Sequence, residues 1–206
     1  MAHAKKLPRR FYTRGDTLLI ARRLLGQHLV VPAAGGARVS GRIVETEAYM
    51  GPEDRAAHSF GNRRTPRTEP MYGMGGMAYV YFIYGMYFQF NVVTGPVSIP
   101  HAVLVRALEP LEGLEIMRAR RPVKDERSLT NGPGKLCLAM GIDRSFNRAD
   151  LLGDLIWIEE GERAIPVKEI ASGPRVGIDY AGEYVDKPWR FWIRDNPYVS
   201  KTRGMK

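Results

Sequence analysis

The chain has 206 residues, 44% hydrophobic and 26% charged, which is ordinary for a soluble globular protein with room for one substantial core or at most two small ones. Its one cysteine, Cys137, excludes an intrachain disulfide and a cysteine-based metal cluster. Thirty-one basic against 22 acidic side chains give a net charge of +9, which suits a polyanionic partner, either nucleic acid or an anionic membrane.

The start is basic and acid-free, with Lys5, Lys6, Arg9, Arg10 and Arg14 before the first Asp. It lacks the apolar core of a secretory signal, so residues 1–10 are expected to form a disordered basic tail. Asp16 is placed to cap a helix over Thr17–Leu25, with Gly26 just past its end. Gln27–Val31 reads as a strand halted by Pro32, and a second strand runs through Glu45 and Glu47. Gly51–Pro70 shows little periodicity over about twenty residues, a length that in a compact domain marks a functional or disordered segment. Tyr79–Ile83 and Met86–Val93 read as two strands meeting near Tyr84-Gly85, and Ala102–Leu108 as another. A helix is expected over Leu111–Arg121, with arginines at its C-terminal end. A further helix opens at Pro133 and stops at Gly141. Short strands are expected at Leu155–Ile158, Val176–Ile178 and Trp189–Ile193. No linker or repeat divides the chain. The expected fold class is α+β: one compact domain with a curved, mainly antiparallel β-sheet core and peripheral helices. Met77–Val93 is too short for a membrane span, and Gly85, Gln89 and Asn91 interrupt it.

Motif by motif, several chemistries fall away. Gly73-Met-Gly-Gly76 precedes a strand rather than a helix, so it is no phosphate loop. Gly132-Pro-Gly-Lys135 lacks the first glycine of a nucleotide-triphosphate loop. Lys135 at a helix start leaves two readings open, a DNA phosphate contact or plain capping. The four histidines have no ligand spacing, so no metal site is expected. Cys137, inside Leu136-Cys-Leu-Ala-Met140, reads as a buried inert thiol. Among the aromatics from Tyr79 to Phe90 the phenylalanines read as core, while the tyrosines fit a core equally with a stacking surface for an unpaired base.

The stretch Gly41–His58 carries the chemistry. Strand alternation puts Glu45, Glu47 and Tyr49 on one face of an apolar, β-prone run. A buried carboxylate is costly unless it is paired or used, so these glutamates either face solvent from an edge strand or serve a site.

Five blocks, E-T-E-A-Y at Glu45–Tyr49, the aromatic run Met77–Asn91, L-V-R-A-L-E-P-L-E-G at Leu104–Gly113, N-G-P-G-K-L-C at Asn131–Cys137 and K-P-W-R-F-W-I at Lys187–Ile193, stand together in one order. As an ordered set spanning nearly the whole chain, they closely resemble the alkyladenine (3-methyladenine) DNA glycosylase family. The resemblance implies a glycosylase domain over residues 11–206 that acts on double-stranded DNA containing damaged purines (3-methyladenine, hypoxanthine, ethenoadenine). It implies base flipping and hydrolysis of the N-glycosidic bond without a cofactor, in a cytoplasmic monomer. It implies Glu47 as general base and Arg106 as the arginine that helps place the water. Tyr49, His58 and Tyr81 correspond to residues around the flipped base, Asn91 to a side chain opposing the amine of guanine, and Tyr84 to the wedge that fills the gap. Arg63, Arg64 and Arg67, with Lys135, are the expected DNA-backbone contacts. Thr68 stands where the family often has Asn, and Gln89 where Cys is common. A silent nucleic-acid-binding module on the same fold is the alternative.

Overall fold

The computed structural model describes residues 5–200. Among these, eight strands form one sheet in which every pairing is antiparallel: β1 (His28–Pro32), β2 (Arg38–Met50), β3 (Ala78–Ile83), β4 (Tyr87–Thr94), β5 (His101–Glu112), β6 (Trp157–Glu159), β7 (Ile170–Gly173) and β8 (Arg190–Ile193). The main order is β3-β4-β5-β2-β1-β6. Strand β2 is central. One edge pairs with β5, while the other pairs with β1 over Arg38–Arg42 and then with β8 over Glu45–Glu47. The glutamates therefore lie at a fork in the sheet, and the edge-strand reading is excluded.

Four helices complete the α+β fold: α1 (Arg9–Tyr12), α2 (Thr17–Leu24), α3 (Leu114–Arg120) and α4 (Pro133–Met140). Asp16 caps α2, its side chain accepting from Leu19 N at 2.9 Å. Gly141 ends α4 at φ 75°, a conformation that costs glycine nothing. The inward faces of α2 and α4 share one core with Val44 and Ala48 of β2, Phe90 and Val92 of β4, and Val103 and Val105 of β5. The opposite face of those central strands is left for a cavity.

Several expectations change. From Lys5 onward the basic segment is packed rather than disordered: Leu7 is buried, Lys6 Nζ donates to Gly153 O at 2.6 Å, and Arg9 pairs with Asp150. The apolar Leu7 and these long-range partners pin a stretch whose charge alone reads as a tail; residues 1–4 lie outside the described residues. Strand β5 runs on to Glu112, so the following helix starts at Leu114 rather than Leu111. Gly113 makes that corner at φ 72°, where a Cβ would sit 2.6 Å from Arg38 O. Val176–Ile178 forms no strand, and β7 lies earlier, at Ile170–Gly173. The 51–70 segment is built of turns and short 3-10 helices around the buried Asp54 and Ser59.

Candidate active site

Strand pairing alone places the first residues of the site. Cross-strand partners run in one row over five strands, Tyr79, Asn91, Leu104, Glu47 and Arg190, so their side chains share a face. Two bulges interrupt the β2–β5 ladder beside this row. Val44 is skipped between the pairs Ile43–Leu108 and Glu45–Ala107, and Arg106 is skipped between Glu45–Ala107 and Thr46–Val105. The second bulge cancels the register shift of the first. Such bulges re-aim side chains, and here Arg106 turns onto both glutamates.

Glu47 and Glu45 are both fully buried, and each is satisfied differently. Glu47 Oε1 accepts from the backbone N–H of Val176 at 2.8 Å and faces Arg106 Nη1 at 3.2 Å; its Oε2 accepts from Tyr49 Oη at 2.7 Å. Glu45 Oε1 takes three donors, Arg106 Nε at 2.9 Å, Arg190 Nε at 2.6 Å and Ser200 Oγ at 2.8 Å, while Oε2 accepts from Ser200 N at 2.8 Å. Two carboxylates and two guanidiniums leave the cluster neutral, the condition under which buried charge is tolerated. Burial pulls the Arg106 pKa down, and Glu47 with Glu45 more than offsets this, leaving it raised. Arg106 is a permanent cation.

Above this floor lies a cavity of about 260 Å³. Tyr49, His58, Tyr79 and Tyr81 supply aromatic walls; Gln89, Asn91 and Arg106 supply polar ones; Val176, Ile178 and Tyr180 close the far side. Burial raises the Tyr49 hydroxyl well above its ordinary range, with Glu47 adding to it, and pushes Tyr79 up to about 12. Burial first, then Arg67 and Arg63, push His58 down to about 4, so its ring is neutral. Its Nδ1 lies 2.9 Å from Tyr79 Oη and its Nε2 3.5 Å from Arg67 Nη2. An arginine only donates, so the contact at Nε2 is compatible with the tautomer that carries its proton on Nδ1, toward Tyr79.

The structure gathers Arg106, Tyr49, His58, Tyr81 and Asn91 around one cavity, with Tyr84 at its mouth, 77% exposed; Glu47 lies behind the lining, bonded to Tyr49, Arg106 and Val176. Arg67 stands at the rim, its guanidinium 5.0 Å from the Tyr81 ring centre. Arg63 and Arg64 are exposed on the same segment, and Arg64 is held by both oxygens of Glu69 at 2.7 Å. Lys135 is not brought to the cavity. Its helix packs on the opposite hairpin face, that of Phe88 and Phe90, and its Nζ donates to Asn131 Oδ1 at 2.8 Å. Among the described residues no cluster of His, Cys, Asp and Glu is arranged to hold a metal ion.

Sequence reasoning missed Arg175. It pairs bidentately with buried Asp54 at 2.5 and 2.8 Å, donates to Ala48 O at 2.9 Å, and lies 4.7 Å from the Tyr49 ring centre and 5.0 Å from that of Trp189. These contacts hold the backbone on which Val176 N meets Glu47. A signal was there: one arginine inside the otherwise apolar Val176-Gly-Ile178 neighbourhood.

A buried, cation-paired carboxylate thus lies beneath an aromatic-walled cavity. Comparisons with known proteins give the family. Residues 10–197 match the family model described as methylpurine-DNA glycosylase. The chain is 52% identical over 205 residues to a Bacillus cytotoxicus protein named "Putative 3-methyladenine DNA glycosylase", covering 95% of this chain and 100% of that one. Proteins of the same name from Desulfitobacterium hafniense (50% identity; 95% and 98% coverage) and Clostridium acetobutylicum (51%; 95% and 97%) are equally similar. The chain belongs to the methylpurine-DNA glycosylase family, a family of DNA-repair glycosylases.

Proposed function

We infer that this protein is a monofunctional glycosylase that takes a damaged purine (3-methyladenine, hypoxanthine or ethenoadenine) out of duplex DNA into the cavity. It hydrolyses the N-glycosidic bond there and leaves an abasic site. The observation that carries the reading is the Glu47–Arg106 pair, buried and charge-balanced, beneath an aromatic cavity of about 260 Å³.

The chemistry follows from the contacts. Departure of the base gives the sugar oxocarbenium character, and a carboxylate lowers that barrier by its charge and by taking a proton from water. Glu47 Oε2 has one protein donor, Tyr49, and keeps capacity for a water. Arg106 Nη1, 3.2 Å from Glu47 Oε1, orients the water. The rings of Tyr49, His58 and Tyr81 stack on and border the base, which suits electron-poor alkylated purines. Asn91, tied by its Nδ2 to Tyr79 O at 3.1 Å, stands rigidly where the amine of guanine would enter. Tyr84 fills the vacated place in the stack, while Arg63 and Arg67 meet the backbone, with Arg64 a lesser contact. Lys135 takes no part in this reading.

A hypoxanthine-containing duplex incubated with the protein and then treated with alkali tests it. Cleavage at the lesion is expected from the native protein. Glu47→Gln should lower the excision rate by ~10²–10⁴-fold while lesion binding persists. Binding without cleavage by the native protein would instead identify a silent recognition module.

A further inference from the structure

Gln89 and Asn91 stand two residues apart on β4 and face the cavity together. Gln89 lies directly across the hairpin from Tyr81, whose hydroxyl donates to Gln89 Oε1 at 2.5 Å. In this arrangement the amide has its oxygen on Tyr81. Its Nε2, a two-proton donor, then has no partner among the described residues and opens onto the cavity. Gln89 is thereby held at one end by Tyr81 and presents its amide N–H groups to the cavity at the other.

We propose that Gln89 is a specificity-determining residue that donates from Nε2 to the exocyclic oxygen of a 6-oxopurine, favouring hypoxanthine over 6-aminopurine lesions. The inference rests on the glycosylase reading above and deepens it. A 6-amino group turned toward Nε2 would set donor against donor and leave both unpaired in a site shielded from water. Sites built to hydrogen-bond a substrate group discriminate strongly against analogues that lack it. A flip of the amide would turn Nε2 onto the Tyr81 oxygen and leave the Tyr81 O–H, which donates to no other group among the described residues, without its acceptor.

The test measures single-turnover excision of hypoxanthine from a defined duplex and of 3-methyladenine from methylated DNA, with the melting temperature of each variant. Gln89→Met keeps the length and loses the donor; its ratio of hypoxanthine to 3-methyladenine excision is expected to fall about ten-fold, the worth of one hydrogen bond. Gln89→Glu keeps an acceptor for Tyr81 but sets a carboxylate against the purine oxygen, and hypoxanthine excision should fall further. An unchanged ratio in both variants overturns the proposal, as does an equal loss of both activities that tracks melting temperature. A native protein that excises neither base sinks the glycosylase reading, and this inference with it.

Discussion

Two glutamates two residues apart on one strand face have different work, and their hydrogen bonds say which. A glutamine at 47 keeps Oε1 for Val176 N–H and Arg106, and its new amide can donate to the Tyr49 oxygen, so the fold survives. A glutamine at 45 cannot serve three donors on one oxygen and also accept from Ser200 N, because one of its ends donates. Glu45→Gln is therefore expected to lower the melting temperature. The loss approaches the ~3–5 kcal/mol of a broken buried ion pair, with activity falling only as the folded fraction falls. Glu47→Gln should do the reverse, and calorimetry beside an excision assay separates the two. His58 supplies a pH signature. Its folded pKa of about 4 lies below the ordinary 6.5, so the unfolded chain takes up the proton first. Stability from this residue is full above about pH 6.5 and drains as pH falls toward 4. His58→Asn should flatten the fall in melting temperature between pH 7 and 4; an equally steep fall would place the charge elsewhere.

The β3–β4 hairpin carries a conformational cost at its tip. Tyr84 sits at φ 54° and Gly85 at φ 68°, with Met86 N donating to Ile83 O at 3.2 Å, the dihedral signs of a type I′ turn. Glycine and asparagine are at home there, whereas an L-residue such as Tyr loses about 1–2 kcal/mol. Tyr84→Gly should accordingly hold or raise the melting temperature while lowering excision of stably paired lesions most and of mispaired ones least. A drop in melting temperature would assign Tyr84 to hairpin packing instead. On the 51–70 segment, Arg63→Ala should reduce the slope of log K against log salt by about 0.9; Arg64→Ala should do less, since Glu69 already neutralises it. Equal effects would contradict that division. At this scale the sequence was readable where a local rule applies: Asp16 as cap, Gly141 as stop, the two hairpin strands, the shared face of Glu45, Glu47 and Tyr49. It was silent on the paired bulges at Val44 and Arg106, on the Arg175–Asp54 pair 121 residues apart, and on the fate of Val176, because each depends on which distant strand lies alongside. Gln89 was visible only as a departure from the family pattern; its orientation toward Tyr81 needed the hairpin register.

For the molecule as a whole, the surplus of nine positive charges is distributed unevenly in use. Arg106, Arg175 and Arg190 are buried against carboxylates and add nothing to the outer field, so the outward-facing positive charge comes from exposed residues such as Arg63 and Arg67. The clamp on Glu45 also has an order in time. Its last donors come from Ser200, 155 residues downstream, and Arg190 follows Glu45 by 145. During translation the central strand emerges long before the residues that neutralise it, and until then two carboxylates and one arginine share a half-built interior. A nascent chain halted before Arg190 should thus hold the hairpin and α2 but not a dry, balanced floor, and a protein ending at Val199 should be less stable and slower at excision even though every cavity-lining residue is present. Pulse proteolysis of such a shortened chain measures the effect; resistance equal to that of the full chain would show that the sheet closes without the Ser200 clasp.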